Sequence, residues 1–470
     1  MLTLSVERLV EIVGGELLAG PESTMVNGLA VDSRQVTPGC AFVAFPGEQV
    51  DGHSYLSQAV ASGARALLVT RDEDSFREVV AMSRRSDVAM VLVPDSLAAV
   101  QSLAEYHRKR LSCPVVAITG STGKTTTKDF IRSVLGTRMV VTATEGNRNN
   151  ELGVPLTVMA AGADTEVLVV EMAMRGAGQI ERLCQIASPT VGLVTNVGYS
   201  HMELLGSQEA IASAKGELVR AIPSSGAVFL NGDDGWSQTL ALTADAPVKT
   251  YGLDIACDVR AEDILVGENG MASFALVVDD DRPAVQLQVP GRHNVYNALA
   301  AAAIGIYFNL TLSDVVVGLE EAAFTGMRME TFVSASGVTV INDAYNANPT
   351  SMRAAIATLA EMKATGKRIA VLGDMAELGS LSELAHFRIG SAVSQLGLDA
   401  LVTVGERARR IADGAMAGGM PADMVRPCVG PMEAVEVLDD LLVEGDVVLV
   451  KASRVMGLEQ VVEGITEPHV

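Results

Sequence analysis

The chain has 470 residues, 49% of them hydrophobic and 20% charged; that is enough apolar material for several cores and excludes a disordered or collagen-like chain. With 57 acidic against 35 basic residues the formal net charge is −22, which repels phosphate backbones and argues against a nucleic-acid binder. The five cysteines (Cys40, Cys113, Cys184, Cys257 and Cys428) are scattered without a CxxC, so neither a disulfide framework nor a zinc site is expected.

The N-terminus, MLTLSVERLVEIVGG, carries Glu7 and Glu11 where a signal peptide needs a basic start. The apolar run Ala298 to Phe308 is too short to cross a bilayer, so a cytoplasmic protein without a membrane span is expected. Short strands such as CAFVAF (40–45) and ARALLVT (64–70) alternate with helices in the first part of the chain. One of these helices covers 96–111, with Ser96 as the expected N-cap and Pro114 just past its end. From Val115 an apolar strand, VVAIT, runs into GSTGKTT and a helix, followed by strands VLVVEM (167–172) and VGLVTNV (191–197). This alternation predicts a parallel α/β sheet. Between 255 and 290 the pattern changes to short antiparallel strands, MASFALVV and AVQLQV, read as a small patch inside or beside the central domain, and a helix then starts near Asn294. Past Gly326 come the strand pair METFVSA and VTVINDAY, a helix opening at Pro349, and strands KRIAVLGDM, DALVTVG and DVVLVKAS separated by helices. Boundaries near 112–114 and 325–327 divide the chain into 1–112, 113–326 and 327–470, matching the roughly three domains expected from length.

The strongest motif is TGSTGKTT, residues 119–126, between a predicted strand and helix. Gly120 and Gly123 free backbone N–H groups to wrap a phosphate together with Ser121 and Thr122, and the helix N-terminus adds positive potential. Lys124 would reach the β- and γ-phosphates, and the hydroxyl of Thr125, followed by Thr126, would hold Mg²⁺. Ile118 stands where a standard loop has its first glycine. Glu171 ends a strand where the acidic Mg²⁺ partner of such a loop usually sits. His201 follows VGLVTNV at the sheet edge where open α/β sheets bind ligands, although a lone loop histidine is ordinarily just solvated. Lys215 is mid-helix in SQEAIASAKGELV, where a solvated lysine is the ordinary case. Asn147, Asn149 and Asn150 flank Arg148 between a strand and a helix and either contact a sugar or phosphate or make turns. Asn294 and Asn297 share a helix face ahead of an Ala/Leu run; N-capping accounts for one of them, not both.

Together these segments resemble the Mur ligase family, the ATP-dependent amide-forming enzymes of peptidoglycan synthesis. The resemblance spans the chain: TGSTGKTT, VVEM, NVGYSHMELLG, the AKGE helix, GRHNVYNALAA, NDAYNANPTSM, VLGDMAELG and LVKASR, with VDSRQVTPGCAFVAFPGEQVDGH in the first domain. DAYNANPTSM and VLGDMAELG point to the family's last cytoplasmic step. The resemblance implies a central P-loop-type parallel sheet with helices on both faces, a Rossmann-like C-terminal domain and a small α/β N-terminal domain. It implies that ATP activates the carboxylate of UDP-N-acetylmuramoyl-tripeptide as an acyl phosphate, which D-alanyl-D-alanine attacks. It further implies Mg²⁺ at Thr125, Glu171, His201 and a carbamylated Lys215, with Lys124 and His201 assisting the chemistry. Asn294, Asn297, Arg328 and Asp343 would serve the nucleotide, Ser33 and Arg34 the uridine diphosphate, and Asn147, Asn149 and Asn150 the muramoyl group. A monomer is expected. The preceding ligase of the pathway is disfavoured because Asn348-Pro349 is followed by Thr350, not by an arginine. A P-loop nucleotide switch is disfavoured because no Asn-Lys-x-Asp occurs.

Overall fold

The computed structural model describes residues 2–47, 50–71, 80 and 87–466, so Glu48 and Gln49 of the N-terminal motif lie outside the described residues. The first sheet has five strands in the order Glu16–Ala19, Ala89–Leu92, Ala66–Val69, Ala41–Val43, Leu29–Ala30. All its pairings are parallel except that of Glu16–Ala19. The helix predicted at 96–111 runs Ser96–Arg108, and its N-cap is Asp95, not Ser96. Asp95 accepts the Ala98 N–H at 2.6 Å, while the Ser96 hydroxyl donates to the Ala44 carbonyl at 2.5 Å. A carboxylate at the positive end of the helix dipole is the stronger cap, and it leaves the serine for a buried tie.

A nine-stranded sheet follows in the order Ala284–Pro290, Met271–Val278, Val259–Val266, Val248–Gly252, Ala227–Asn231, Val191–Val194, Val115–Thr119, Val167–Glu171, Val141–Ala143. The antiparallel patch, expected inside or beside the central domain, lies within the central sheet. Val259–Val266 pairs parallel with Val248–Gly252 and antiparallel with Met271–Val278, so the patch extends the sheet. Strands such as Val115–Thr119 and Val167–Glu171 are wholly buried, which is why they read as unbroken apolar runs instead of alternating ones.

The third sheet has the order Glu330–Val333, Thr339–Asn342, Val447–Lys451, Arg368–Gly373, Ala400–Val404, Val425–Cys428. The first pair is antiparallel and the others are parallel. Parallel strands bring the loops after Asn342, Lys451 and Gly373 to one edge of this sheet, the edge that binds ligands in open α/β folds. The helix Pro349–Glu361 opens as predicted, with Asn348 as N-cap and Pro349 at its first position. The chain divides into two compact units. One comprises Met1–Ala117, Met139–Ala173 and Gln179–Val191, and the other Ile118–Arg138, Met174–Gly178 and Gly192–Val470.

In the second unit the helices Ser382–Gln395 and Arg409–Ala417 cross at two glycines. A Cβ at Gly390 would lie 1.8 Å from the Ile411 carbonyl oxygen, and one at Gly414 would lie 2.0 Å from the Phe387 carbonyl oxygen. Backbone cannot yield as a side-chain tip can, so Gly390→Ala should destabilise the chain by about 1–3 kcal/mol despite alanine's better helix propensity. Denaturant unfolding checks this; an unchanged or raised midpoint would show that the helices separate freely.

Candidate active site

In the second unit, residues 120–123 lead into the helix Lys124–Gly136, with Gly123 as its left-handed N-cap. Gly120 and Gly123 have φ of 150° and 80°. A Cβ at Gly120 would meet Thr195 Oγ1 at 1.8 Å, and one at Gly123 would meet Asn297 Oδ1 at 2.5 Å. Both glycines are therefore required by close approach as well as by backbone conformation. The loop is strapped to residues 195–198. Ser121 N–H donates to the Asn196 carbonyl and Thr122 N–H to Asn196 Oδ1, both at 3.0 Å. Thr195 Oγ1 donates to the Thr122 carbonyl at 2.6 Å, and Gly198 N–H donates to Ser121 Oγ at 2.8 Å. Lys124 Nζ folds back to donate to the Gly120 carbonyl at 2.8 Å. Ile118 is a fully buried strand residue, so the phosphate-type loop begins at Gly120.

Asn294 and Asn297 are both buried at the start of the helix Asn294–Tyr307, and neither is its N-cap, a position held by His293. Asn294 Nδ2 donates to the Pro290 carbonyl at 2.8 Å, and Asn297 Nδ2 donates to Asn294 Oδ1 at 2.8 Å. Thr127 Oγ1 donates to Asn297 Oδ1 at 3.1 Å. The pair braces the phosphate-loop helix from behind, a structural use of two poor helix formers that capping does not explain.

His201 has φ of 61° and precedes the single-turn helix Met202–Leu205. Its Nδ1 lies 2.7 Å from Glu377 Oε2, and Arg175 Nε lies 3.7 Å from Glu377 Oε1. The contact lacks hydrogen-bond geometry, and it is an ion pair only when His201 is protonated. Burial lowers the His201 pKa; Glu377 opposes this, and the charges of Lys215 and Lys124 reinforce it. Lys215, in the helix Gln208–Ala221, is 2% exposed, contrary to the solvated position expected of a mid-helix lysine. Burial, and then repulsion from Lys124, push its pKa well below the usual lysine value.

The Arg328 guanidinium lies 4.1 Å from the Tyr345 ring centroid, and its buried Nε has no partner among the described residues. Asp343 accepts from Lys451 Nζ at 2.5 Å and from Met329 N–H at 3.3 Å. Lys451, 2% exposed, and Glu377 are functional candidates that residue patterns missed. Each lies inside a quoted motif, LVKASR or VLGDMAELG, but nothing in the spacing singles either out.

In the first unit, Glu171 is buried at the end of its strand, and its N–H donates to Thr144 Oγ1 at 3.0 Å. Asn149 Nδ2 donates to Glu171 Oε1 at 2.7 Å, so this asparagine orients the carboxylate. Asn150 Oδ1 accepts the Leu152 and Gly153 N–H groups at 3.3 and 2.8 Å, and the Asn147 carbonyl accepts the Asn149 N–H at 2.7 Å. Ser33 and Arg34 form an exposed 3₁₀ turn in which Arg34 Nη2 and Nε reach Asp32 at 2.6 and 2.9 Å.

A nucleotide with Mg²⁺ fits the second unit's residues. The loop has no room for a Cβ at Gly120 or Gly123, a helix N-terminus opens on it, and the buried hydroxyls of Thr119, just before the loop, and Ser200, beside His201, have no hydrogen-bond partner among the described residues. Among the described residues no three His, Cys, Asp or Glu side chains are grouped to hold a metal.

The description "Mur ligase middle domain" matches residues 118–305, "Mur ligase, glutamate ligase domain" matches 327–454, and "Mur ligase family, catalytic domain" matches 25–108. The chain belongs to the Mur ligase family. It is 38% identical over 469 residues, 99% of each chain, to the UDP-N-acetylmuramoyl-tripeptide–D-alanyl-D-alanine ligase of Bacillus subtilis (strain 168). It is 34% identical over 471 residues, again 99% of each, to the protein of that name from Escherichia coli (strain K12). Among solved structures it is similar to MurF from Acinetobacter baumannii, with TM-score 0.87, 29% identity and full coverage of both chains. It is also similar to the MurF ligase of Thermotoga maritima in complex with ADP, with TM-score 0.79 and 27% identity over 94% of this chain and 97% of that one.

The loop that carries Glu377 in this Mur ligase is anchored by a fully buried histidine. His386 Nε2 accepts the Met375 N–H at 2.9 Å, and Nδ1 lies 2.7 Å from the Ser382 carbonyl, so the ring is neutral with its proton on Nδ1. Burial holds its pKa below the ordinary 6.5. Below pH 6.5 the unfolded chain binds a proton that native His386 refuses, so this residue makes stability fall as pH drops and leaves it flat above. His386→Gln keeps an acceptor without titrating and should lose stability less steeply between about pH 6.5 and 5, read as denaturant midpoints. Equal slopes would remove His386 as a source of acid sensitivity.

Proposed function

We propose that the chain uses ATP to join D-alanyl-D-alanine to UDP-N-acetylmuramoyl-tripeptide through an acyl phosphate. The observation that carries this reading is the glycine-bound loop at Lys124 facing a helix brace and a buried lysine, in a chain similar over its whole length to ligases of that name. Residues 1–112 are proposed to hold the uridine nucleotide through Ser33 and Arg34, residues 113–326 to hold ATP, and residues 327–470 to receive the dipeptide. Asn147, Asn149 and Asn150 are assigned to the muramoyl group. Cytoplasmic location and a monomeric state complete the reading. Among the described residues no helix is long and apolar enough to cross a membrane.

The reaction gathers negative charge where phosphate leaves ATP for a carboxylate, so the chain's task is to position reactants and stabilise that charge. Lys124 releases the Gly120 carbonyl and turns its ammonium to the γ-phosphate. Gly120 to Thr126 cradle the phosphates, Asn294 and Asn297 fix the loop helix and border the base, Arg328 reaches the phosphates and Asp343 binds the ribose. Thr125, Glu171, His201 and Lys215 are assigned to Mg²⁺, with Asn149 holding the Glu171 carboxylate in place. When bound, Mg²⁺ neutralises phosphate oxygens and favours in-line transfer.

Lys215 is assigned as a carbamate. Its lowered pKa favours the neutral amine, whose lone pair forms an N–C bond to CO₂ as a proton leaves nitrogen. The product is an anion in place of a cation that would repel the metal.

Two substitutions test this reading with phosphate release measured in the presence and absence of D-alanyl-D-alanine. Lys124→Ala should fold normally and lose roughly 10³–10⁵ in turnover, the range seen when a single phosphate-stabilising cation is removed. Near-normal turnover would show that the loop is not catalytic. Lys215→Ala should be nearly inactive and partly restored by formate or acetate, whereas Lys215→Arg should stay inactive, because it keeps the charge and forms no carbamate. Full activity of the alanine variant without added acid, or strong rescue by arginine, would overturn the carbamate.

A further inference from the structure

The Arg328 guanidinium makes no hydrogen bond or ion pair among the described residues, although its Nε is buried. It rests instead over the ring of Tyr345, 4.1 Å from the centroid. The backbone on both sides of the arginine is left-handed, with φ of 59° at Met327 and 53° at Met329. That conformation costs a non-glycine residue energy and persists where the surroundings enforce it. Here both methionines are pinned through N–H and carbonyl. Met327 N–H donates to Glu330 Oε2 at 3.0 Å, and its carbonyl accepts the Tyr345 N–H at 3.3 Å. Met329 N–H donates to Asp343 Oδ1 at 3.3 Å, and its carbonyl accepts from Thr331 Oγ1 at 3.1 Å. The bond from Tyr345 N–H to Met327 also fixes the ring's own residue beside the turn that carries the arginine. Backbone and ring therefore aim a cation whose donors are not spent on the protein.

We infer that Tyr345 is a positioning residue whose ring holds Arg328 ready for the phosphates of the nucleotide. A carboxylate partner would compete with phosphate for the N–H groups and would have to be displaced as the nucleotide binds. An aromatic face attracts the cation through its quadrupole and carries no net charge, so the five donors stay available. The planar guanidinium then presents paired N–H groups that match two phosphate oxygens, which an ammonium cannot do. Tyr345 and Asp343 are two residues apart in the segment after the strand Thr339–Asn342. One segment thus carries both the carboxylate assigned to the ribose and the ring behind the arginine assigned to the phosphates. This deepens the ligase reading, on which it rests for the role of Arg328.

The test titrates the full-length chain with ATP and Mg²⁺ by calorimetry and measures adenosine, which has no phosphate, by displacement. Tyr345→Leu should weaken ATP by about 3–30-fold, the worth of one cation–π contact, and change adenosine by less than about twofold. Tyr345→Met repeats the test with a flexible side chain, and retained adenosine binding shows that each variant is folded. Tyr345→Phe keeps the ring and should bind ATP within about twofold of wild type. Adding Tyr345→Leu to Arg328→Met should weaken ATP by less than about twofold beyond Arg328→Met alone, because the ring acts through the guanidinium. Unchanged ATP affinity in Tyr345→Leu, equal losses for ATP and adenosine, or losses that add in the double variant would overturn the inference and leave Tyr345 as part of the fold only. Binding needs no turnover. An active ligase whose Tyr345→Leu variant binds ATP as wild type does refutes only the role of Tyr345, while a selective loss of ATP affinity in a chain that does not ligate refutes only the ligase reading.

Discussion

A lysine almost wholly removed from water, pressed by the field of a second lysine, is expensive to keep charged, and the second unit is arranged around that fact. Lys215 is held in the middle of a helix whose burial removes the solvent that would stabilise an ammonium. Lys124 is withdrawn onto the Gly120 carbonyl, which takes one cation partly out of the field. The same two charges bear on His201, whose ring is countered from the far side by Glu377. Such a region attracts phosphate and discourages a bare divalent cation until the positive charge is answered. That is the electrostatic logic of a site meant to assemble with its nucleotide.

The positive groups are placed by backbone contacts that leave little freedom. Gly120 and Gly123 let Thr195 and Asn297 reach the loop, and Asn196 takes N–H groups of both Ser121 and Thr122. The Thr127–Asn297–Asn294–Pro290 chain of hydrogen bonds carries the same rigidity into the next helix. A connected buried polar network of this kind specifies one arrangement because each member left unpaired would cost the full desolvation of its group. The loop is thus held before any phosphate arrives, in keeping with preorganised electrostatic stabilisation.

Elsewhere, groups drawn from distant parts of the chain orient one another. Asn149 holds Glu171, Lys451 holds Asp343, Tyr345 backs Arg328, and Glu377 faces His201. In each case the partner of a residue with an assigned role is a side chain that residue-type patterns either read as a direct ligand contact or passed over. The third sheet supplies three of these four partners, Lys451 from the end of a parallel strand and Tyr345 and Glu377 from the segments after two others, while its interior is aliphatic.

The sequence by itself determined the alternation of strands and helices, the phosphate loop at 120–126, the helix opening at Pro349 and the family, because these rest on local periodicity, on turn and cap chemistry, and on contiguous motifs. It misplaced one cap at Ser96, where a neighbouring carboxylate competes for the same N–H groups, and it left open whether the 255–290 strands lie inside or beside the central domain, which the pairing of Val259–Val266 with Val248–Gly252 decides. Only the tertiary structure decided that Lys215 is buried, that Asn294 and Asn297 bond to each other and to Thr127, and that Glu377 meets His201. The physical reason is distance along the chain. Burial and pKa are set by residues that folding brings together from far apart, Lys124 with Lys215 and His201 with Glu377, and no local spacing encodes them.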